Sequence, residues 1–283
     1  MLLIADSGGT KTSWAFVETT DKVEIVETEG IHPYFQDSYQ MSKIIWHLPE
    51  ELIEEVTELQ FYGAGCGART QARNVQNVLS DCFPDGAKIK VDTDVFGAAR
   101  ALCQHEAGIA GILGTGSNTC RYDGRQIIEN SRGFGFILGD EGSGAVMGKR
   151  LMVDYLYQKM PLHLLQKLER RLQLTPDKVL EHVYKKTAPN RYLAKFSYFI
   201  HEHRKETYVQ ELLQSHFEDF FRKRILVFEG HQNLPLHLIG SIAFHFQAEI
   251  KKVAAQFDIE LGKILQNPMQ DLIQYHLSID SAD

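Results

Sequence analysis

The chain has 283 residues, 43% of them hydrophobic, which is enough for two domains of roughly 100–200 residues with separate cores. Its 37 acidic and 30 scattered basic residues give a net charge of −7, which argues against a nucleic-acid surface and favours a small-molecule partner. No apolar stretch approaches the roughly 20 residues of a membrane helix, and the four cysteines form no C-x-x-C pair. We therefore expect a soluble, cytoplasmic protein with reduced thiols that associates with no membrane.

The N-terminal stretch is an apolar run that predicts a buried strand and ends at the carboxylate Asp6. Residues 8–12, the first glycine turn, follow it. Because Gly8 and Gly9 have no Cβ, the backbone N–H groups of this turn can approach a bulky anion, and Asp6 can hold a metal ion directly or through water. Short strands follow at once, which excludes a P-loop, since a P-loop opens a helix. The pattern predicts a phosphate-binding turn, with an ordinary glycine hairpin as the alternative.

The rest of the first 107 residues alternates between strand and helix patterns in the order βββαβαβα. A second glycine-rich strand end lies at 63–67, and an alanine-rich helix follows Asp92 and Asp94. The predicted elements are strands around 14–16, 23–25, 59–62 and 88–91, and helices around 41–48, 52–56, 70–82 and 95–104.

From Gly108 the same order begins again. An apolar strand at 109–113 is followed by the second glycine turn, residues 114–118, and by a hairpin around Asp123-Gly124. The repetition predicts a duplicated unit, with lobes 1–107 and 108–283, a helical insertion at about 144–230, and the two glycine turns facing each other across a cleft. A non-duplicated α/β domain with a helical cap is the alternative. Later predicted elements are a strand at 235–240, a helix at 243–257, a strand at 259–264 and a last helix from Pro268.

Two further motifs indicate chemistry. The pair Asp92 and Asp94 lies between a strand and a helix, where one of the two carboxylates can serve as a general base for a hydroxyl nucleophile. The alternative is that Asp94 only caps the helix. In the stretch 133–143, glycines let the backbone approach a polar ligand, and Asp140 can accept two hydroxyl donors, as a sugar offers. A loop with a capping acid is the structural alternative.

The remaining patterns predict packing or surface. The twelve histidines show no ligand spacing for a metal. Phe217, Phe220 and Phe221 have helical spacing and are predicted to lie in a core, whereas the run Arg222–Arg224 is predicted to be exposed helix surface.

Taken together, these motifs resemble the N-acetylglucosamine kinases and, more widely, the BadF/BadG/BcrA/BcrD-type ATPases of the acetate and sugar kinase/Hsp70/actin superfamily. The resemblance implies an α/β, duplicated ribonuclease H-like (actin-like ATPase) fold with ATP and Mg²⁺ in an interlobe cleft, and phosphorylation of an amino sugar at its 6-hydroxyl. The matching pieces are 6–10, 93–98, 114–118, 133–135, 139–143 and 240–241.

Carried over by position, the resemblance assigns three sets of residues. Asp94 corresponds to the catalytic base. Asp6, which would hold Mg²⁺ through water, joins Gly8, Gly9, Thr10, Lys11, Thr115, Gly116 and Gly240 around ATP. The sugar contacts are His32, Ser117, Asn118, Gly133, Phe134, Gly135 and Asp140, with His32 standing where the family loop carries an Asn.

Two other functions belong to the same superfamily. A kinase for N-acetylmuramic acid or another cell-wall sugar could use the changed loop at His32. An ATPase activator without a sugar substrate would hold an iron–sulfur cluster, but Cys66 and Cys120 lack the clustered cysteine-glycine pattern of such proteins. The helical insertion matches none of these motifs and is a candidate for a lid or for the surface of a homodimer.

Overall fold

The computed structural model describes residues 1–131 and 133–280 and forms two compact units. The first unit contains Met1–Glu106, Gly124–Ile127 and the segment from Asn267 onward. The second contains Ala107–Asp123 and Ile128–Gln266. Each unit is built around its own five-stranded mixed sheet.

The sheet of the first unit has the strand order β3-β2-β1-β4-β5. Strand β2 runs antiparallel to both β1 and β3, whereas β1, β4 and β5 are parallel. The strands are β1 (Leu2–Ser7), β2 (Lys11–Thr19), β3 (Lys22–Glu29), β4 (Glu58–Gly63) and β5 (Lys88–Thr93). The helices are α1 (Ser38–Ile45), α2 (Glu50–Ile53), α3 (Arg69–Cys82) and α4 (Asp94–Cys103).

Alternation along β1 explains why helices cover both faces of this sheet. Leu3 and Ala5 point into one core together with residues of α1 and α3, while Ile4, between them, points into a second core on the opposite face. A strand that is buried on both faces reads as a continuous apolar run, which is what the first residues of the chain show.

The second unit repeats this arrangement with the order β10-β9-β6-β7-β8. Its central strand β6 is antiparallel to β7 and parallel to β9, as β1 is to β2 and β4. The duplication predicted from element order is therefore present as matching sheet topology. The strands are β6 (Ala107–Leu113), β7 (Ser117–Asp123), β8 (Ile127–Ser131), β9 (Leu236–Ile239) and β10 (Leu261–Leu265).

The insertion between β8 and β9 is helical, and its apolar side chains form one large core with the sheet. Phe217, Phe220 and Phe221 are fully buried there, which confirms the prediction from their spacing. Its helices are α5 (Gly135–Leu138), α6 (Gly144–Leu156), α7 (Leu162–Leu172), α8 (Pro176–Tyr184), α9 (Pro189–Ala194), α10 (Phe196–Glu202) and α11 (Thr207–Phe220). A π-helical turn (Phe221–Ile225) and a 3-10 turn (His231–Asn233) follow, and α12 (Ser241–His245) and α13 (Gln247–Gln256) lie between β9 and β10.

The last helix, α14 (Met269–Asp280), packs in the first unit. Met269 and Leu272 bury their side chains against Ile4, Ala15 and Tyr62. The predicted lobes, 1–107 and 108–283, would place α14 in the second lobe. The observed packing of α14 in the first unit differs from that prediction. The physical reason is the second core face of the first sheet, which α4 and α14 cover together.

Candidate functional site

The first glycine turn closes the connection between β1 and β2. The N–H of Gly8 donates to the carbonyl oxygen of Lys11 at 3.0 Å, and the N–H of Gly30 donates to that of Thr10 at 3.1 Å. A Cβ on Gly30 would lie 2.4 Å from the carbonyl oxygen of Gly8, so this position has room only for glycine. Gly30 was not among the predicted site residues, although a glycine directly after a strand is a usable signal.

Two buried hydroxyls fix the base of this turn. The Ser7 and Thr12 oxygens are 2.7 Å apart, and the backbone N–H of Ile31 donates to Ser7 Oγ at 3.0 Å. Thr12 therefore has a structural role, whereas Gly9 and Thr10 at the tip of the turn are exposed. The turn presents backbone and one hydroxyl to solvent on a rigid base.

Lys11 forms an ion pair with Glu27 across the β2–β3 hairpin. The two side chains remain 50% and 58% exposed. Exposed pairs of this kind contribute about 0–1 kcal/mol, so the ammonium group can exchange its partner for a phosphate at little cost.

The carboxylates Asp6 and Asp94 lie on the same side of the first sheet, at the carboxyl ends of its parallel strands. Asp6 is at the end of β1, Asp94 directly follows β5, and the parallel strand β4 lies between them. Both side chains are half-buried. Burial, followed by the charge of Asp94, raises the pKa of Asp6 to about 7, and Lys11 partly offsets the rise. A carboxylate whose ionisation is disfavoured by burial and by a neighbouring carboxylate suits Mg²⁺, which usually takes one or two carboxylates together with phosphate oxygens.

Asp94 is the first residue of α4 and is not its cap. Thr93 caps the helix, its hydroxyl oxygen accepting the N–H of Phe96 at 3.3 Å. The capping alternative for Asp94 is therefore wrong. The N–H of Val95 donates to Asp94 Oδ1 at 2.8 Å and orients the carboxylate. Burial raises the pKa of Asp94, and the Val95 hydrogen bond lowers it in part.

The neighbouring carboxylate, Asp92, has a cationic partner. Arg100 Nη1 lies 4.0 Å from Asp92 Oδ2 and donates to the hydroxyl of Tyr62 at 2.5 Å. That hydroxyl is 2.9 Å from Nε2 of His276 on α14. Asp92 thus belongs to a network that attaches the last helix to the sheet. Of the two candidates for a general base, Asp94 is the one whose carboxylate is not part of an ion pair among the described residues.

The second glycine turn is held by the N-terminus of α6. The N–H groups of Gly144 and Ala145 donate to the carbonyl oxygens of Gly114 and Thr115, at 2.8 and 3.1 Å. The first N–H groups of a helix lack partners inside the helix, and here the turn supplies them. The sequence analysis did not single out either α6 residue.

Gly240 lies against the same turn. It has φ +114°, and a Cβ there would lie 2.5 Å from the carbonyl oxygen of Leu113, the last residue of β6. Gly240, Thr115 and Gly116, all predicted nucleotide contacts, are therefore neighbours within the second unit. The structure brings this part of the predicted ATP set together on one turn.

Asp140 ends the 133–140 segment, part of the connection from β8 to α6, and its carboxylate lies beside the second glycine turn. Its carboxylate accepts the N–H of Gly135 at 3.1 Å. A Cβ on Gly116 or Gly133 would come within 3.0 or 3.1 Å of its oxygens, so both glycines make room for this side chain. Asp140 is 9% exposed and has φ +55°, a conformation that Asp tolerates better than most residues.

The other predicted sugar residues of the second unit surround Asp140. The Ser117 hydroxyl donates to the carbonyl oxygen of Glu141 at 2.8 Å, and Asn118 Oδ1 accepts the N–H of Thr119 at 3.0 Å. Phe134 is 65% exposed beside them. Burial raises the pKa of Asp140, and the Gly135 N–H and then Arg224 lower it.

Arg224 was predicted to be exposed helix surface, and this prediction is wrong. Its side chain is 3% exposed, whereas Arg222 and Lys223 beside it are exposed. Arg224 lies in the π-helical turn, and its guanidinium donates to the carbonyl oxygen of Ser131 at the end of β8. The widened helical turn is the cause, because it shifts side-chain directions away from those of a regular α-helix.

His32 belongs to the first unit. Its ring packs against Phe35, with 4.6 Å between the ring centroids, and the backbone N–H of His32 donates to Gln36 Oε1 at 2.7 Å. A Cβ on Gly65 would lie 2.8 Å from the ring, so His32 fits against the glycine-rich strand end at 63–67.

None of the four cysteines forms a disulfide, and Cys66, Cys103 and Cys120 are buried. Burial, followed by the charges of Asp94 and Asp92, raises the pKa of the Cys66 thiol to about 12, so it is protonated at neutral pH. Within residues 1–131 and 133–280, no group of three or more His, Cys, Asp and Glu side chains could hold a metal. None of the helices in the described part of the chain could span a membrane.

Comparison with solved structures gives three informative matches. A protein from Porphyromonas gingivalis with the provisional name N-acetylglucosamine kinase is 40% identical, has a TM-score of 0.92, and is matched over 98% of this chain and 99% of its own. A protein of the same provisional name from Chromobacterium violaceum is 17% identical, with a TM-score of 0.73 over 97% of this chain and 98% of its own. No family model and no curated protein matched the chain.

A ROK family glucokinase from Streptomyces griseus, solved with glucose and AMPPNP, is 12% identical, with a TM-score of 0.54 over 97% of each chain. At this identity the similarity concerns the fold alone. With the matching topology of the two sheets, it confirms the predicted duplicated ribonuclease H-like fold of actin-like ATPases.

Proposed function

Because the chain belongs to the N-acetylglucosamine kinase-like family of actin-like ATPases and is a sugar kinase, we propose that it transfers the terminal phosphoryl group of ATP to the 6-hydroxyl of N-acetylglucosamine. The observation that carries this proposal is the 40% identity over nearly the whole length of a protein provisionally named for that activity. The arrangement of carboxylates within each unit supports it.

The nucleotide phosphates bind at the two glycine turns in this proposal. Gly8, Gly9 and Thr10 offer backbone N–H groups and a hydroxyl from the first turn, and Thr115 and Gly116 do so from the second. Lys11 exchanges Glu27 for a phosphate oxygen. Asp6 would hold Mg²⁺, which when bound neutralises charge on the phosphates.

Asp94 is the proposed general base. A kinase of this kind needs a group that orients the attacking hydroxyl and accepts its proton. The Val95 N–H fixes one oxygen of Asp94, and its raised pKa brings the carboxylate closer to the range in which a base is effective at neutral pH. The proton of the 6-hydroxyl passes to Asp94 as the oxygen attacks the phosphoryl group.

Asp140 is the proposed anchor for the sugar. Its carboxylate can accept two hydroxyl donors, and the glycines at 116 and 133 leave the surrounding space open. Ser117 and Asn118 border the same place. His32, which the sequence also predicted as a sugar contact, stays a proposal. The homodimer and the cytoplasmic location expected from the sequence stay proposals.

The test is a screen of ATP consumption against amino sugars, including N-acetylglucosamine, N-acetylmannosamine and N-acetylmuramic acid, with the phosphate position determined by ³¹P and ¹H NMR. We expect the highest kcat/KM for N-acetylglucosamine and a 6-phosphate product. The Asp94→Asn variant, purified identically, controls for contaminating kinases. If the enzyme preferred N-acetylmuramic acid, that sugar would replace N-acetylglucosamine as the assigned substrate. ATP consumption that no sugar stimulates would contradict the proposal.

A further inference from the structure

The 133–140 segment is held from outside by two basic side chains that the proposed mechanism does not use. Arg224 contacts the backbone carbonyl of Ser131, at the end of β8 shortly before the segment, and Lys149, on α6, contacts the middle of the segment. Neither residue belongs to the motifs that predict substrate contacts, and the sequence around Arg224 is typical of exposed helix surface. Their contacts converge on the segment that carries Asp140.

The π-helical turn is what brings Arg224 to this place. Helix α11 ends at Phe220, and the widened turn Phe221–Ile225 continues it. The backbone of the turn is fastened to the sheet, because the hydroxyl of Thr119 on β7 donates to the carbonyl oxygen of Arg224 at 3.1 Å. Turns of this type occur frequently at functional sites. In this turn Phe221 and Ile225 are buried while Arg222 and Lys223 are exposed, and the evident result of the irregularity is that Arg224 is directed inward.

The two basic groups make matching contacts. The guanidinium of Arg224 donates to the carbonyl oxygen of Ser131, where the chain leaves β8. Lys149 Nζ donates to the carbonyl oxygen of Phe136, in the short helix α5, at 2.6 Å. The 133–140 segment has three exposed apolar side chains, Phe134, Ile137 and Leu138, and one partly buried against the core, Phe136, so apolar packing does little to keep its shape. The charged groups of Arg224 and Lys149, which donate hydrogen bonds to backbone carbonyl oxygens, stabilise its shape instead.

The same groups also set the charge balance around Asp140. Arg224 and Lys149 favour the ionised carboxylate, and Glu141 opposes it. Glu141 is itself partly neutralised by Lys223, whose Nζ lies 3.4 Å from its carboxylate. A carboxylate that is 9% exposed needs such neighbours to stay charged, because burial favours its neutral form.

We propose that Arg224 is a positioning residue for Asp140, with Lys149 as its second support, and that together they hold the 133–140 segment in the shape in which ionised Asp140 receives two sugar hydroxyls. The inference rests on the proposed function for the identity of the ligand. It adds a buried arginine on the insertion to the residues that determine sugar affinity. ATP binding at the glycine turns is not part of this role.

The kinetic test compares Arg224→Met with Arg222→Met, a control two residues away that removes an exposed charge stacked on Phe257. We expect the KM for the sugar to rise roughly 10- to 100-fold in Arg224→Met, as for loss of a charged donor, with the KM for ATP unchanged. Arg224→Lys should recover part of the loss. Equal increases in both KM values, or no increase, would overturn the inference.

A double-mutant cycle separates positioning from general destabilisation. If Arg224 acts through Asp140, adding Arg224→Met to Asp140→Asn should raise the sugar KM by less than about threefold beyond Asp140→Asn alone. Fully additive effects would show that Arg224 contributes independently of Asp140. If Arg224→Met does not fold, the same cycle can be run with Lys149→Met in its place.

A readout without substrate distinguishes this inference from the proposed function. In free enzyme labelled with ¹³C-aspartate, the Asp140 carboxyl signal, assigned by its loss in Asp140→Asn, reports its titration. We expect its pKa to rise in Arg224→Met and Lys149→Met and to stay constant in Arg222→Met. An unchanged pKa in the first two variants would overturn the positioning role even in an active enzyme. An inactive wild type with the expected shifts would count only against the proposed function.

Discussion

Asp6 and Asp94 are electrostatically coupled across strand β4. Burial and then the charge of Asp94 raise the pKa of Asp6 to about 7, so protonation of Asp6 competes with its ionised form near neutral pH. The strand ends bring these carboxylates to one edge of the sheet, although 87 residues separate them in the chain. A site that holds a proton this tightly is suited to exchange it for a cation.

This coupling predicts a pH-dependent Mg²⁺ requirement. Mg²⁺ competes with the proton on Asp6. As the pH rises toward 7, the Mg²⁺ concentration for half-maximal activity should therefore fall about tenfold per pH unit, and above pH 7 it should stay constant. Asp6→Asn should weaken the Mg²⁺ requirement's dependence on pH, whereas Asp21→Asn, in the exposed β2–β3 turn, should not. Kinetic Mg²⁺ titrations from pH 5.5 to 8.5 measure this, and a flat profile for the wild type would disprove it.

Replacing Asp94 by Asn should lower kcat by roughly 10²- to 10⁴-fold, the usual contribution of a general base. The KM for the sugar should change little, since the amide keeps the Val95 hydrogen bond to its oxygen. Asp92→Asn is the matched control, because Asp92 is paired with Arg100 at the end of the same strand. If steady-state kinetics gave the large loss in Asp92→Asn instead, the assignment of the base would be reversed.

Replacing Asp140 by Asn should raise the KM for the sugar with little change in the KM for ATP. Asn keeps the shape of the side chain and tolerates the positive φ of this position, so the loss reports the charge and not backbone strain. Loss of one charged acceptor corresponds to roughly 10- to 100-fold in affinity. Asp177→Asn, exposed on α8, is the control. Isothermal titration with the sugar gives an independent measure, and unchanged affinity would remove Asp140 from the sugar site.

Gly30→Ala should destabilise the protein by about 1–3 kcal/mol, the usual cost of overpacking, because its Cβ would lie 2.4 Å from the Gly8 carbonyl oxygen. The KM for ATP should rise as the first glycine turn is displaced. Gly9→Ala is the matched control for stability, since a Cβ there meets no atom within 4 Å. Urea unfolding of the two variants measures the difference. Equal stability would mean that the turn adjusts without strain.

Two buried histidines should weaken the fold in acid. Burial lowers the pKa of His216 to about 3 and of His276 to about 4, below the ordinary 6.5, so each favours the folded state fully above pH 6.5 and loses that contribution as the pH falls. Asp6 acts in the opposite direction, because its folded-state pKa is raised. The variant His216→Leu isolates one histidine. As the pH falls from 6.5 to 4, the free energy of unfolding of this variant should rise relative to that of wild type by roughly 1.4 kcal/mol per pH unit. A pH-independent difference in urea unfolding would contradict the buried, neutral state of His216.

The local parts of this molecule were readable from the residues alone. Strand alternation and glycine after an apolar run depend on neighbours within a few positions, and so the order of strands, both glycine turns and the duplication were predictable. Asp94 and Asp140 could be singled out because each lies beside such a turn or strand end. The resemblance to a kinase family rested on the same short motifs.

Packing between distant parts of the chain decided the rest. Whether Asp94 or Thr93 caps α4 depended on backbone geometry, and whether Gly30 is required depended on a turn 20 residues earlier in the chain. The last helix joined the first unit because that sheet has a second apolar face to cover. Arg224 is buried in a π-helical turn, whereas helical periodicity alone assigns such a residue to the surface. Periodicity describes one element at a time, whereas these residues owe their roles to contacts between elements.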